Sequence, residues 1–283
     1  MISSILAHSQ ISFMKVFTLF FFLSLVSFSL LAINPVREYK VRPEMLGMKY
    51  ETQKIQVNSN VQLNSWLFLG DQTRPFIIVS NSDAGNMANC LGQAQEFSKA
   101  GYNVILYDYR GFGESSDFEM DRNRLYYDEF VEDLNAVLVF TRKVYKPKKL
   151  ILYGLSMGTI ISRTAMDQHK WVSGGIFDSF VVNPNLVVDR IFQLKKKEIS
   201  LPNGAVLYNK INESPAGVSI LIFSGLQDII TKSTDCTSFL KINPKARVVT
   251  WDCNHLENFH TMTKDKDSDL YMAAVNEYIN NLK

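Results

Sequence analysis

The segment Leu150-Ile151-Leu152-Tyr153-Gly154-Leu155-Ser156-Met157-Gly158 joins a short apolar run to Thr159-Ile160-Ile161-Ser162-Arg163-Thr164-Ala165-Met166, which reads as a helix. A serine with glycines two positions before and after it, at a strand-to-helix junction, restricts the chain to few architectures. The turn must be sharp, the serine must adopt a strained conformation, and only small residues at 154 and 158 escape a clash. Such a turn lifts the hydroxyl above the end of a sheet, and the N-terminus of the following helix favours negative charge nearby.

The remaining pattern supplies the sheet. Lys54–Val57 and Ser65–Leu69 read as an opening antiparallel hairpin. Pro75–Ser80, Asn103–Tyr109, Lys149–Tyr153, Gly174–Phe177, Ser219–Ser224 and Ala246–Trp251 read as strands. Between them lie helical stretches: Asn89–Lys99, Tyr126–Tyr145 with apolar positions at Phe130, Leu134, Val137 and Leu138, the helix from Ser156 to about His169, and Asp269–Leu282. Strands alternating with helices predict an α/β fold, a mostly parallel central sheet flanked by helices. The stretch 180–217 breaks the rhythm and reads as a small cap.

Val16 to Ile33 carries no charge and is bounded by Lys15 and Arg37. The run is near the shortest length that spans a bilayer as a helix, and it also has the form of a secretory signal peptide. We therefore expect residues 1–34 to be a membrane anchor or a cleaved signal and residues 35–283 to be the folded domain, membrane-anchored or exported. In the 283 residues 46% are hydrophobic and 20% charged, enough for one sizeable core. The net charge of +2 is too small to imply a polyanionic partner, and the clusters Lys146, Lys148, Lys149 and Lys195–Lys197 have no interleaved aromatics. They read as solvated surface, and nucleic-acid binding is not expected. Cys90, Cys236 and Cys253 form no CxxC pair, so no structural zinc is expected, although an exported domain would permit a Cys236–Cys253 bridge.

If Ser156 is a nucleophile, its acid and base follow it in the chain, each at the end of a strand. Four histidines narrow the choice of base. His8 falls in or before the leader and His169 ends the helix that Ser156 begins. His255, just after the strand Ala246–Trp251, is placed as the base, with His260 the alternative. Asp228, which follows the strand and a glycine turn, is placed as the acid that orients the imidazole. Asp178 is its rival, while Asp235 and Asp252 read as surface or capping residues. Gly111 and Gly113 lack the third glycine of a dinucleotide loop, Ser116 standing in its place.

The segments NSDAGNMANCLGQ, NVILYDYRGFGESS, LILYGLSMGT and SGLQDII, with the region around His255, resemble in order the α/β-hydrolase superfamily. They are most similar to its branch of membrane-anchored serine hydrolases, whose first loop usually reads His-Gly-Asn-Ala-Gly-Asn. The resemblance implies the α/β-hydrolase fold and hydrolysis of an ester, thioester or amide in a small-molecule or acylated substrate, with no cofactor and no metal. It implies an oxyanion hole made by the backbone N–H of Met157 and one from the first loop, at Asp83. Asp108-Tyr109-Arg110-Gly111-Phe112-Gly113 reads as scaffold, its glycines letting the loop turn after its strand and Arg110 pairing with a carboxylate beneath the site. This chain departs from the branch at Asn81-Ser82-Asp83, where His-Gly-Asn is usual. Backbone donors survive such a change, but a carboxylate at Asp83 opposes a developing oxyanion if it turns inward, and Ser82 is less permissive than glycine.

Overall fold

The computed structural model describes residues 31–213, 217–263 and 269–282. Its folded unit begins at Ala32 rather than at residue 35. Ala32 and Ile33 belong to the apolar run in sequence, yet both are buried in the core of this unit. Most of the run Val16–Ile33 lies outside the described residues. Among those described, no helix is long and apolar enough to cross a membrane.

Among the described residues ten strands are present: β1 (Asn34–Pro35), β2 (Glu51–Gln56), β3 (Gln62–Phe68), β4 (Phe76–Ser80), β5 (Ala84–Gly85), β6 (Asn103–Tyr107), β7 (Leu150–Leu155), β8 (Gly174–Asp178), β9 (Ile220–Gly225) and β10 (Ala246–Trp251). Eight of them form one sheet in the order β10-β9-β8-β7-β4-β6-β3-β2, and β1 pairs separately with β5. Pairing is parallel from β10 to β6 and antiparallel through β3 and β2. This is the mostly parallel sheet with an antiparallel entry that the sequence predicts. The short β1–β5 pair has too few residues to leave a periodic signal.

The helices are α1 (Leu91–Lys99), α2 (Tyr127–Tyr145), α3 (Met157–Gln168), α4 (Pro184–Lys195), α5 (Gly204–Glu213), α6 (Ser233–Ile242), α7 (Asn258–Met262) and α8 (Leu270–Asn281). Helix α2 shows why such boundaries are legible. Asp128 and Glu129 complement its N-terminal dipole, Arg142 and Lys143 its C-terminal end, and Lys146 closes it with a left-handed φ of 48° before Pro147. All five residues of β4 are buried, each large side chain contributing about 1.5–3 kcal/mol. Alternate residues divide between two cores. Phe76 and Ile78 face α2 and α3 on one side, whereas Ile77 and Val79 face α1 and α8 on the other.

Within 180–217 lie α4 and α5. Asn183 caps α4 by accepting the Asn185 N–H at 2.9 Å, with Pro184 in the first turn. Arg190 ties α4 to the chain after β9 through the Ile230 carbonyl at 2.9 Å and through Asp235. Asp235 is thus an ion-pair partner rather than a cap. Asp252 is exposed and accepts from Gln227 at 3.0 Å. The Cys236–Cys253 bridge that the sequence permits is not formed. All three cysteines are buried free thiols, and Cys253 Sγ contacts Asn258 Oδ1 at 3.3 Å instead.

Candidate active site

Ser156 sits between β7 and α3 with φ 48° and ψ −113°, a conformation that L-residues rarely adopt. The neighbouring glycines make it possible. A Cβ at Gly158 would lie 2.1 Å from the Ser80 carbonyl oxygen, and one at Gly154 would lie 2.7 Å from that of Gly158. The Ser156 N–H donates to the Asp178 carbonyl oxygen at 3.0 Å, which fixes the turn against β8.

The structure brings Ser156, His255 and Asp228 together. His255 Nε2 is 3.1 Å from Ser156 Oγ, and His255 Nδ1 is 2.7 Å from Asp228 Oδ2. Asp228 is buried in the turn after β9, while His255 is half-buried after β10. Burial alone would raise the Asp228 pKa, but His255 and the Thr231 donors reverse it and hold the carboxyl below its ordinary value. Its Oδ1 accepts the N–H groups of Ile230 and Thr231, both at 2.8 Å, and its Oδ2 accepts the Thr231 hydroxyl at 2.6 Å. The sequence reading passed over Thr231. The spacing Asp-x-x-Thr, an Asx-type turn, is the signal that would have found it.

Neither alternative joins this cluster. His260 lies exposed on α7 with its ring beside Phe259. Asp178 is fully buried at the end of β8 and accepts from Asn258 at 2.8 Å and from Tyr271 at 3.4 Å. Burial raises its pKa to about 6, with the Asn258 bond and the charge of His255 opposing. Asp178 therefore braces the floor of the site, as does Ser179 Oγ, which accepts the Leu256 N–H at 2.8 Å.

The first loop follows β4. Asn81, where the resemblance leads one to expect histidine, is buried and donates to the carbonyls of Ala84 at 3.2 Å and Asn86 at 3.0 Å. Asp83 is half-buried, and its carboxylate lies against its own backbone N–H, within electrostatic reach of His255, Lys197 and Lys195. Burial raises its pKa above the ordinary value. The Met157 N–H opens α3, where no preceding turn offers it a helical acceptor.

The loop after β6 is braced in turn. Asp108 is buried and accepts the Met87 N–H at 2.7 Å and the Tyr39 hydroxyl. Arg110 is paired to Asp133 of α2 through Nε at 2.9 Å and Nη2 at 2.7 Å, the carboxylate expected beneath the site. Among the described residues no cluster of three His, Cys, Asp or Glu side chains is arranged to hold a metal ion.

Comparison with known proteins adds to this. The family described as serine aminopeptidase, S33, matches residues 81–215. YfhR of Escherichia coli K12, an uncharacterized protein, is 22% identical over 248 residues, covering 81% of this chain and 80% of its own. YNL320W of Saccharomyces cerevisiae, called an uncharacterized membrane protein, is 23% identical over 164 residues, 57% of this chain and only 56% of the yeast protein. Among solved structures, the Pyrococcus furiosus esterase Pf2001 superposes with a TM-score of 0.71 at 19% identity, covering 88% of this chain and 99% of the esterase. Est1E of Butyrivibrio proteoclasticus, solved with ferulic acid bound, gives 0.64 at 15% identity, covering 81% and 98%. Likeness at these identities establishes the fold, in which Ser156, Asp228 and His255 all lie at the C-terminal ends of parallel strands.

Proposed function

We propose, on the premise that this chain is a member of the α/β-hydrolase superfamily, that it is a serine hydrolase cleaving carboxylic ester or thioester bonds through an acyl-enzyme. The relay from Asp228 through His255 to Ser156 carries this reading. His255 Nδ1 is held at 2.7 Å by the carboxylate while Nε2 stands 3.1 Å from the hydroxyl, so the imidazole can accept the serine proton as Oγ attacks a carbonyl. The Asp228 carboxylate stabilises the imidazolium that forms. The imidazolium then protonates the leaving group, and the same base later activates water to release the acyl group. The Met157 N–H and, once its own carboxylate releases it, the Asp83 N–H are the proposed donors to the oxyanion. No cofactor or metal enters this scheme.

The apolar run Val16–Ile33 supports an anchored or exported protein, and with it a lipid-like or acylated substrate near a membrane. A second reading, cleavage of short peptides, is favoured by the serine aminopeptidase family match over residues 81–215.

The test is hydrolysis of p-nitrophenyl esters from acetate to palmitate, and of aminoacyl p-nitroanilides, by the full-length protein in detergent beside Ser156→Ala. Ester turnover and fluorophosphonate labelling that both vanish in the variant are expected. Turnover of anilides alone would favour the peptidase. No turnover and no labelling would leave a hydrolase-fold protein that binds a ligand without cleaving it.

A further inference from the structure

Leu256 and Ser179 both lie on left-handed backbone, at φ 61° and φ 56°. A bulky residue in that region is a genuine outlier, and such strain persists only where surrounding bonds over-determine it. Here each is the other's partner. The Leu256 N–H donates to Ser179 Oγ at 2.8 Å. Ser179 is fully buried, and its own N–H is held by the Phe223 carbonyl of β9 at 3.1 Å.

The bond falls on the residue after His255, and the loop around His255 is held from two directions. Ahead of the base, the Leu226 N–H donates to the Trp251 carbonyl at 2.8 Å and the Gln227 N–H to the Cys253 carbonyl at 3.0 Å. Those bonds join the loop to the turn that carries Asp228, not to the strand that carries Ser156. Behind the base, Ser179 holds Leu256, and Asp178 Oδ1 accepts from Asn258 at 2.8 Å. The Asp178 carbonyl in turn accepts the Ser156 N–H at 3.0 Å. Asp178, the last residue of β8, and Ser179 after it therefore grip the nucleophile turn on one side and the base loop on the other. Ser179 Oγ also faces Asp178 Oδ1 at 3.4 Å, which gives its proton an acceptor while a lone pair meets the Leu256 N–H. On the solvent side Glu257 accepts from the Asn254 N–H and side chain, both at 3.0 Å, but that clasp stays within the loop and sets no distance to Ser156.

We propose that Ser179 is a positioning residue for the catalytic base: through the Leu256 N–H it sets the distance between His255 Nε2 and Ser156 Oγ, as Asp228 sets the orientation of the ring. The inference rests on the serine-hydrolase reading for its kinetics and on the bond alone for its geometry. Proton transfer uses the 3.1 Å contact between base and nucleophile, and a displacement of about 1 Å costs on the order of a hundredfold. A displaced base lowers kcat, whereas substrate binding, which does not use the base, leaves KM unchanged.

The experiment uses the full-length protein in detergent and the variants Ser179→Ala, Ser179→Cys, His255→Ala and the double variant Ser179→Ala with His255→Ala. Asp252→Asn, exposed at the edge of the same loop, is the control. Ser179→Ala removes the acceptor and is expected to lower kcat on p-nitrophenyl esters by about ten- to a hundredfold with KM unchanged. Ser179→Cys, which keeps a weak acceptor in nearly the same shape, should fall between the two. In the His255→Ala background the serine change should leave residual turnover unaltered, because no base remains to be placed. Asp252→Asn should match the wild type. Hydrogen exchange reads the bond without turnover: the Leu256 amide should be protected in the wild type and exchange about tenfold faster or more in Ser179→Ala. Should Ser179→Ala fail to fold, Ser179→Cys decides by the same readouts. An unaltered kcat, an equal loss in the His255→Ala background, or a Leu256 amide that exchanges alike with and without the hydroxyl would overturn the proposal. No turnover and no fluorophosphonate labelling in the wild type, with the Leu256 amide responding as expected, would instead overturn only the hydrolase reading.

Discussion

The Thr231 hydroxyl donates to Asp228 Oδ2 at 2.6 Å, the same oxygen that faces His255 Nδ1 at 2.7 Å. With the two backbone N–H groups on Oδ1, the carboxylate is saturated with donors and held in one orientation. Thr231 Oγ1 also lies 3.3 Å from His255 Nδ1, but its single proton is committed to the shorter contact. Replacing Thr231 with valine keeps the shape and removes one bond to a charged group, worth about 1.5–3 kcal/mol. We expect Thr231→Val to lower kcat by about tenfold or more, with Thr231→Ser recovering most of it. Unchanged kcat in the valine variant would show that the two backbone donors suffice.

Asp228→Asn tests the relay itself. An amide cannot stabilise the imidazolium, and its NH2 group, turned toward His255 Nδ1, would leave the proton on Nε2, the atom that must accept from Ser156. A fall in kcat of about 10⁴-fold is expected for such a change, with the melting temperature little altered. A loss of about tenfold or less would point to another acid, Asp178 foremost. The control is Asp178→Asn assayed under the same conditions.

The turn at Ser156 leaves no room at its glycines. A Cβ at Gly158 would meet the Ser80 oxygen at 2.1 Å and the Asn81 oxygen at 2.6 Å, both main-chain atoms that cannot swing aside. Gly158→Ala must push α3 away from β4, costing about 1–3 kcal/mol or more. The same shift would move the Met157 N–H. Expected are a lower melting temperature by thermal unfolding and a kcat that falls further than stability explains. A variant with wild-type melting and turnover would contradict the close packing.

Asp178 gives a pH signature. Its pKa rises from 3.8 to about 6 because burial disfavours the charged form. The folded state therefore holds a proton that the unfolded state releases between those values. This contribution to stability is fully present below pH 3.8 and is lost as pH rises through about 6. Asp178→Asn, which carries no titrating proton, should gain stability relative to the wild type as pH rises across that window, with a constant difference above it. Urea denaturation at steps of pH measures this. A difference independent of pH would mean that Asp178 titrates normally.

The sheet and the principal groups of the site were legible because each leaves a local trace. Glycines at 154 and 158 mark the turn, four histidines make elimination short, and a run such as Ile77-Ile78-Val79 is buried on both faces. Thr231 left a local trace in the spacing Asp-x-x-Thr, whereas Asn258 was not legible, because its role depends on a carboxylate 80 residues away that it meets only after folding. Lys197 was misread for the same reason. A lysine in a run of three looks solvated, and only the folded chain after α4 encloses one of the three ammonium groups. The free cysteines follow this rule too, since sequence spacing carries no information on whether two sulfurs meet.

Residues 32–34, which the sequence assigns to the apolar leader, are packed against the folded unit, and this has a direct consequence. Ile33 is fully buried and Ala32 nearly so, while Asn34 and Val36 donate to the carbonyls of Asp83 at 2.9 Å and Gly85 at 2.8 Å. A chain starting at residue 36 gives up the burial of Ile33, about 1.5–3 kcal/mol, together with the Asn34 bond that pins the loop after β4 at Asp83. Compared with a chain starting at residue 31, it should melt about 5–10 °C lower. At a temperature where both are folded, its turnover should fall as well, because the freed loop carries the Asp83 N–H. Equal melting temperatures would show that residues 32–35 contribute nothing to the unit. Equal turnover with lowered melting would separate their part in stability from any part in shaping the site.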